Sequence, residues 1–132
     1  MKSINELLLR TTALSLAPMV IVSLSVISLS NTAYALPQDA KVVGGALAIV
    51  KSDNKIEVIQ QTNRGAIDWR SFDIGAGEAI HFVQPSQHAA TLNRVTGGGG
   101  ASQINGRIQA NGSVVLVNPN GIVFGRGANV NV

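Results

Sequence analysis

One stretch of the sequence decides the fold: Ser113-Val114-Val115-Leu116-Val117-Asn118-Pro119-Asn120-Gly121-Ile122-Val123-Phe124. Two apolar runs meet there at a polar corner. The ring of Pro119 fixes φ at about −65°, which suits the first corner of a type I or type II turn. Asn120 or Gly121 can adopt the left-handed conformation, and the Asn118 side chain can hydrogen-bond the backbone in an Asx-turn. The residues alone leave two roles open: a turn without a partner, or a set of amides that a binding protein recognises.

Short β-strands are predicted throughout the chain beyond residue 35. Apolar segments recur about every 9–12 residues, which is typical of a sandwich, a barrel or a solenoid. No window of about 11 residues in this part has the i, i+3, i+4 apolar pattern of an amphipathic helix. The predicted strands are Val42–Val43, Leu47–Val50, Lys55–Thr62, Ile67–Ile74, Ala79–Gln84, Ala90–Val95, Ser102–Gln109, Ser113–Val117 and Ile122–Phe124.

Three Asn-Gly pairs separate the later strands and allow two architectures. Each pair could be the type I′ turn of an antiparallel hairpin, and composition alone favours this interpretation. Each could instead be a corner of a stacked coil, where a positive φ is needed. The uninterrupted apolar run Val114–Val117 favours the coil, because parallel strands covered on both faces have this pattern. The pairs are Asn105-Gly106, Asn111-Gly112 and Asn120-Gly121.

Composition excludes several classes of function. The chain has 132 residues, ten Lys and Arg against seven Asp and Glu, and no Cys. This length allows one domain at most. The absence of cysteine excludes a zinc–thiolate cluster, a cysteine nucleophile and a disulfide framework. The net charge of +3 is small and scattered, so no nucleic-acid partner is expected.

No residues form a recognisable catalytic, cofactor or metal site. Asp68, Asp73 and Glu78 are spaced by five, so on extended structure they alternate faces and are not expected to converge for paired-carboxylate hydrolysis. His81 and His88 are the only histidines, and a metal site generally needs three or four ligands. The four glycines at 97–100 lack the Lys and Ser or Thr of a phosphate loop. We therefore expect no enzyme, no cofactor and no small-molecule substrate.

The first 35 residues resemble a Sec signal peptide rather than a folded element. An uncharged apolar segment covers residues 13–29, and Ala33 and Ala35 occupy the −3 and −1 positions of a signal-peptidase site. The alternative is a transmembrane anchor. Pro18, five serines and the lack of a cationic flank after the segment disfavour that alternative. We expect signal peptidase to cleave after Ala35 and the chain to be exported.

Six sequence pieces resemble, in the same order, the haemagglutinin-type secretion domain that opens the exoproteins of two-partner secretion systems (the TpsA family). Each piece is weakly specific alone, but together they cover most of the chain after the signal peptide. The pieces are Ile67–Phe72, Phe82–Pro85, Leu92–Gly97, Ala110–Gly112, Asn118–Ile122 and Phe124–Ala128.

The resemblance implies a fold, a partner and a site. It implies that residues 36–132 form a right-handed parallel β-helix with an N-terminal cap of short strands, which reverses the preference for hairpins. It implies recognition by the periplasmic domains of an outer-membrane TpsB-type transporter after passage through the Sec machinery. The product would be secreted, or held at the surface of a Gram-negative bacterium. The recognition role would fall on Asn118, Pro119, Asn120, Gly121 and Ile122.

The sequence also departs from the family pattern. A second family motif, Asn-Pro-Asn-Leu, has no counterpart, and the chain stops at Val132, where family members continue. We therefore expect an amino-terminal piece of a larger exoprotein, or the product of a truncated gene, incomplete at its C-terminal end. The alternative function is a free-standing secreted adhesin or carbohydrate-binding β-domain. An aromatic content of 4% disfavours this alternative, because sugar-binding platforms depend on Trp and Tyr.

Overall fold

The computed structural model describes residues 35–132, and the secondary structure of this part consists of strands. No helix in the described residues is long and apolar enough to cross a membrane. The eleven strands are β1 (Lys41–Gly44), β2 (Leu47–Lys51), β3 (Lys55–Gln60), β4 (Arg64–Trp69), β5 (Ala79–Val83), β6 (Ala90–Val95), β7 (Ser102–Ile104), β8 (Arg107–Ala110), β9 (Ser113–Val117), β10 (Ile122–Phe124) and β11 (Asn129–Asn131).

The strands stack as a parallel β-helix of about three coils. One sheet contains β3, β5, β8 and β11 in parallel, a second contains β4, β6 and β9, and a third contains β7 and β10. Each coil visits the three sheets in turn, so a residue pairs with its counterpart one coil later. Lys55, for example, pairs with Ala79, which pairs with Arg107. The predicted all-β parallel β-helix is confirmed.

Short antiparallel strands cap the N-terminal end of the β-helix. Strand β1 pairs with β4 and strand β2 pairs with β3, both antiparallel. Before them, Gln38 forms an isolated antiparallel bridge with Ser71, and the Leu36 side chain is fully buried. The predicted cap of short strands is therefore present, and it fixes residues 36–51 against the first coil.

The core lies inside the coils because alternate residues of each strand point inward. In β4, Ile67 and Trp69 are buried, and the β5 residues Ile80 and Phe82 are buried in the same way. The Trp69 ring meets Phe72 edge to face, with ring centroids 5.7 Å apart. Burying one such apolar side chain contributes about 1.5–3 kcal/mol. The stack of inward side chains therefore supplies much of the driving force for coiling.

Two predicted strands run through a coil corner, where the side-chain alternation changes. The strand predicted over Ile67–Ile74 ends at Trp69, and the chain bends at Arg70. Phe72 and Ile74 are consequently buried in the core. In an uninterrupted strand, strict alternation would place both on the opposite face from Trp69. The strand predicted over Ser102–Gln109 is likewise divided into β7 and β8 by a corner. Strand β11 was missed, since Asn-Val-Asn has little strand propensity.

The Asn-Gly pairs are coil corners, and the hairpin interpretation is wrong. The strands on either side of each pair belong to different sheets. Of the three glycines only Gly121 has a positive φ, of 100°. Gly106 is needed for another reason, because a Cβ there would lie 2.3 Å from the Glu78 carbonyl oxygen and 2.4 Å from that of Gly75. Its corner packs directly on the backbone of the preceding coil.

The apolar run Val114–Val117 is not covered on both faces in the described residues. Val115 and Val117 are exposed on the outer face, while Val114 and Leu116 are half-buried at the last coil. The outward-facing valines make the run apolar at every position although only one of its faces is turned to the core. On the outer face of the second sheet, Val115 pairs with Leu92 of the neighbouring strand.

Candidate functional site

The segment Asn118–Ile122 forms a tight turn between β9 and β10. The Gly121 amide donates to the Asn118 carbonyl at 3.0 Å, which closes a four-residue β-turn with Pro119 at its second position. The Asn120 amide donates to Oδ1 of Asn118 at 2.9 Å, completing an Asx-turn. Asn120 is not among the described residues of positive φ, so the turn is of type I rather than type II.

The amide groups of this turn are used inside the folded domain. The Asn118 side-chain amide donates to the Gly100 carbonyl at 3.3 Å and to Oγ of Ser102 at 3.0 Å. The Asn120 side-chain amide donates to the Gly99 carbonyl at 2.6 Å. Both asparagines therefore hold the glycine loop at 97–100 against the next coil. The glycine loop connects β6 to β7 and contacts the two asparagines through its backbone carbonyls rather than its amides.

The turn borders an apolar surface at the last coil. Pro119, Asn120 and Gly121 are exposed, and Ile122 is half-buried. A cleft of about 230 Å³ lies beside them. Among the described residues, no strand pairs with β9, β10 or β11 on their outer side. The cleft is lined by Ile108, Val114, Leu116, Ile122, Phe124, Val130 and Val132.

Buried amides inside the β-helix were not identified from the sequence. The Trp69 indole N–H donates to Oδ1 of Asn93 at 2.9 Å, and both residues are almost fully buried. The Gln84 side chain donates to Oγ1 of Thr91 and accepts from the Gly112 amide at 2.7 Å. A signal for them was present in the sequence, because Gln84 and Asn93 lie in two of the pieces that resemble the family. Gln84 satisfies polar groups at a coil corner, and Asn93 does so within β6.

Asn111 belongs to the same set of corner contacts. Its Oδ1 accepts from the Gln84 backbone N–H at 2.7 Å, and its amide donates to the Gln84 carbonyl at 2.7 Å. The pair of hydrogen bonds continues the β5–β8 ladder beyond its last paired residues, Phe82 and Ala110. Asn111 is therefore a structural residue that ties the second coil to the third.

Charged residues form ion pairs on the outer faces, either between neighbouring strands or within one strand. Arg94 donates two hydrogen bonds to Asp68 at 2.8 and 2.9 Å across paired positions of β6 and β4. The hydrogen bond to Asp68 raises the pKa of Arg94 above its ordinary value. Lys55 donates to Glu57 at 3.2 Å, which lowers the pKa of that carboxyl. These pairs are solvent-exposed and contribute little to stability.

The three acidic residues considered for hydrolysis have separate surroundings. Asp68 is paired with Arg94 on an outer face, and Asp73 accepts from the Gln103 amide at 2.7 Å. Glu78 is buried, and its Oε1 accepts from the Gly75 amide at 2.7 Å. Within residues 35–132 no three His, Asp or Glu side chains are grouped so that they could hold a metal ion.

The predicted signal-peptidase site falls at the edge of the described residues. Ala33 lies outside them. Ala35 is exposed, and its amide donates to Oε1 of Glu78 at 2.9 Å. Leu36, the next residue, is fully buried. The side chains on either side of the predicted cleavage bond thus have opposite environments.

Comparisons with known proteins connect this geometry to a family. Residues 33–132 match the family described as the TPS secretion domain. The chain is 45% identical over 108 residues to the "Heme/hemopexin-binding protein" of Haemophilus influenzae, covering 78% of this chain and 12% of that protein. The protein of the same name from the Rd strain is 46% identical over 97 residues, covering 74% of this chain and 11% of that protein.

A solved structure has the same fold. The crystal structure of the HMW1 secretion domain from Haemophilus influenzae superimposes with a TM-score of 0.66 and 34% sequence identity. The superposition covers 71% of this chain and 25% of that one. The chain spans 11–12% of the length of the curated relatives that it matches.

Proposed function

The chain belongs to the TPS secretion-domain family of TpsA-type exoproteins, and on that premise we propose that residues 36–132 direct the secretion of a larger exoprotein. The periplasmic domains of an outer-membrane TpsB-type transporter recognise the domain. The product reaches the cell surface or the medium of a Gram-negative bacterium. The domain acts by binding and carries out no chemical step on a substrate.

The observation that carries the proposal is the environment of the two asparagine amides. In the folded domain the Asn118 and Asn120 amides bind the glycine loop. The transporter therefore binds the Asn118 and Asn120 amides before the last coil folds, while residues 113–124 are still extended. An extended segment can add as a strand to a sheet edge of the partner, with the amides supplying specificity. Folding then transfers the same amides to internal partners and disfavours reversal.

Export to the periplasm precedes this step. We assign residues 1–35 as a Sec signal peptide that signal peptidase removes after Ala35.

The haem and hemopexin binding that the relatives' name records is assigned to no residue of this chain, since the matched region is 12% of their length.

Replacing both asparagines tests the role of the turn. In cells that express the exoprotein with its transporter, we expect Asn118→Ala with Asn120→Ala to lower the secreted amount about tenfold or more, because two lost amide contacts exceed about 1.4 kcal/mol. The periplasmic amount should persist. Immunoblots of medium and periplasm measure both. The Asp variants at the same positions keep the acceptors but lose the donors, and the same loss is expected.

Asn63→Ala provides the matched control. Asn63 is an exposed asparagine in the turn between β3 and β4, and its variant should be secreted like the wild type. Normal secretion of the double variants would contradict the recognition role. If the double variants are secreted normally but proteases degrade them more easily than the wild type, the two amides have a structural role only.

A further inference from the structure

Glu78 is a buried carboxylate that lacks a charged partner. Its residue is 6% exposed. Oε1 accepts from the amides of Gly75 and Ala35 at 2.7 and 2.9 Å. Oε2 is the one buried side-chain polar atom in residues 35–132 without a hydrogen-bond partner. None of the ion pairs in that part of the chain includes Glu78. Burying a carboxylate without a counter-charge is unfavourable.

The chain beside Glu78 is held in place from both sides. The Leu36 side chain is fully buried, and its carbonyl accepts from the Gln38 side-chain amide. Gln38 is itself fixed by two backbone hydrogen bonds of 3.0 Å, one to Ser71 and one from Arg70. The backbone nitrogen of Leu36 is the next along the chain from that of Ala35, which already contacts the carboxylate. Successive residues advance by at most about 3.6 Å, and the Ala35 nitrogen lies 2.9 Å from Oε1 of Glu78, so the Leu36 nitrogen lies within about 6.5 Å of that oxygen.

We propose that Glu78 is the binding site for the α-ammonium group of Leu36 that signal peptidase creates. The inference rests on the cleavage assigned after Ala35. Hydrolysis of the Ala35–Leu36 peptide bond consumes one water and leaves a carboxylate on Ala35 and an ammonium on Leu36. The leader departs with Ala35, and the ammonium takes the place of the Ala35 amide against both carboxylate oxygens.

The exchange of donors explains why the uncleaved chain leaves Oε2 without a partner. A backbone amide offers one N–H and no net charge, whereas an ammonium offers three donors and a positive charge. A hydrogen bond with charge on both partners is about twice as strong as a neutral one. The fully buried Leu36 side chain anchors the new terminus beside the carboxylate. The N-terminal cap is thus completed only in the processed chain, which couples removal of the leader to folding of the first coil.

Amine labelling of the secreted exoprotein tests the pairing. The purified full-length protein is treated at neutral pH with N-hydroxysuccinimidyl acetate, and peptide mass spectrometry gives the labelling rates of the N-terminal amine and of Lys51, an exposed lysine. In the wild type we expect the Leu36 amine to react about tenfold more slowly than in Glu78→Gln, because the carboxylate holds it as the ammonium. Lys51 should react equally in both. Glu57→Gln, which removes an exposed carboxylate, should label like the wild type.

Different failures are distinguishable in the same spectra. An N-terminal peptide that does not begin at Leu36 overturns the cleavage and the pairing together, while export in the asparagine experiment can still succeed. A Leu36 terminus that labels at equal rates in the wild type and in Glu78→Gln overturns the pairing and leaves the cleavage intact. If Glu78→Gln is not secreted, the wild type is compared before and after unfolding in guanidinium. Equal N-terminal rates in those two states then refute the proposal.

Discussion

Asparagine and glutamine side chains satisfy polar groups inside this β-helix and at its corners. Asn93 of β6 is fully buried and accepts from the Trp69 indole at 2.9 Å. Asn111 forms two hydrogen bonds with the Gln84 backbone beyond the last paired residues of β5 and β8. Buried polar groups are tolerated only when they are hydrogen-bonded. Asparagine has a similar role at Asn118 and Asn120, whose side-chain amides donate to backbone carbonyls of the glycine loop.

Removing the Asn93 amide should be costly. We expect Asn93→Ala to lower the free energy of unfolding by about 2–4 kcal/mol, since it leaves the Trp69 N–H unpaired and opens a cavity. Urea unfolding of the purified chain, followed by the fluorescence of its single tryptophan, measures the change. The exposed Asn63→Ala should change the same quantity by no more than about 0.5 kcal/mol. Equal effects of the two variants would refute the role of the buried amide.

Strand positions were readable from the sequence, whereas the corners between them were not. Alternating burial in β3–β6 follows the period-2 pattern, because one face of each strand lines the core. The pattern failed at Phe72 and Ile74, where a bend after Trp69 rotates the chain. It also could not separate hairpins from coils, since the Asn-Gly pairs suit both. Only the family resemblance selected the parallel arrangement, because non-local pairing between coils leaves no local signal.

Close packing at one corner gives an element-scale prediction. Gly106→Ala would place a Cβ 2.3 Å from the Glu78 carbonyl oxygen, so two coils would have to separate. We expect a loss of about 1–3 kcal/mol in unfolding free energy. Gly98→Ala is the matched control, because a Cβ there meets no atom within 4 Å. Its effect should be neutral or slightly stabilising, by up to about 1 kcal/mol. A Gly98→Ala loss as large as that of Gly106→Ala in urea unfolding would contradict the packing account.

Residues 35–132 form a short stack of coils that is capped at its N-terminal end and, among these residues, unpaired at the other. The N-terminal end is closed by the antiparallel strands β1 and β2 and by buried Leu36. The other end carries an apolar cleft, and its lining residues Phe124 and Val130 are 59% and 49% exposed. The unpaired backbone N–H and C=O groups of such an exposed sheet edge can form hydrogen bonds with a further strand. We propose that the domain, once across the outer membrane, folds coil by coil from its capped end.

Transporter-dependent release tests the central claim most directly. Residues 1–132 are fused to a reporter that stays in the periplasm on its own, and the fusion is expressed with and without the exoprotein's outer-membrane transporter. The reporter activity of the medium is then compared between the two strains. We expect release only when the transporter is present. Retention in the periplasm with a functional transporter, or equal release without one, would contradict it.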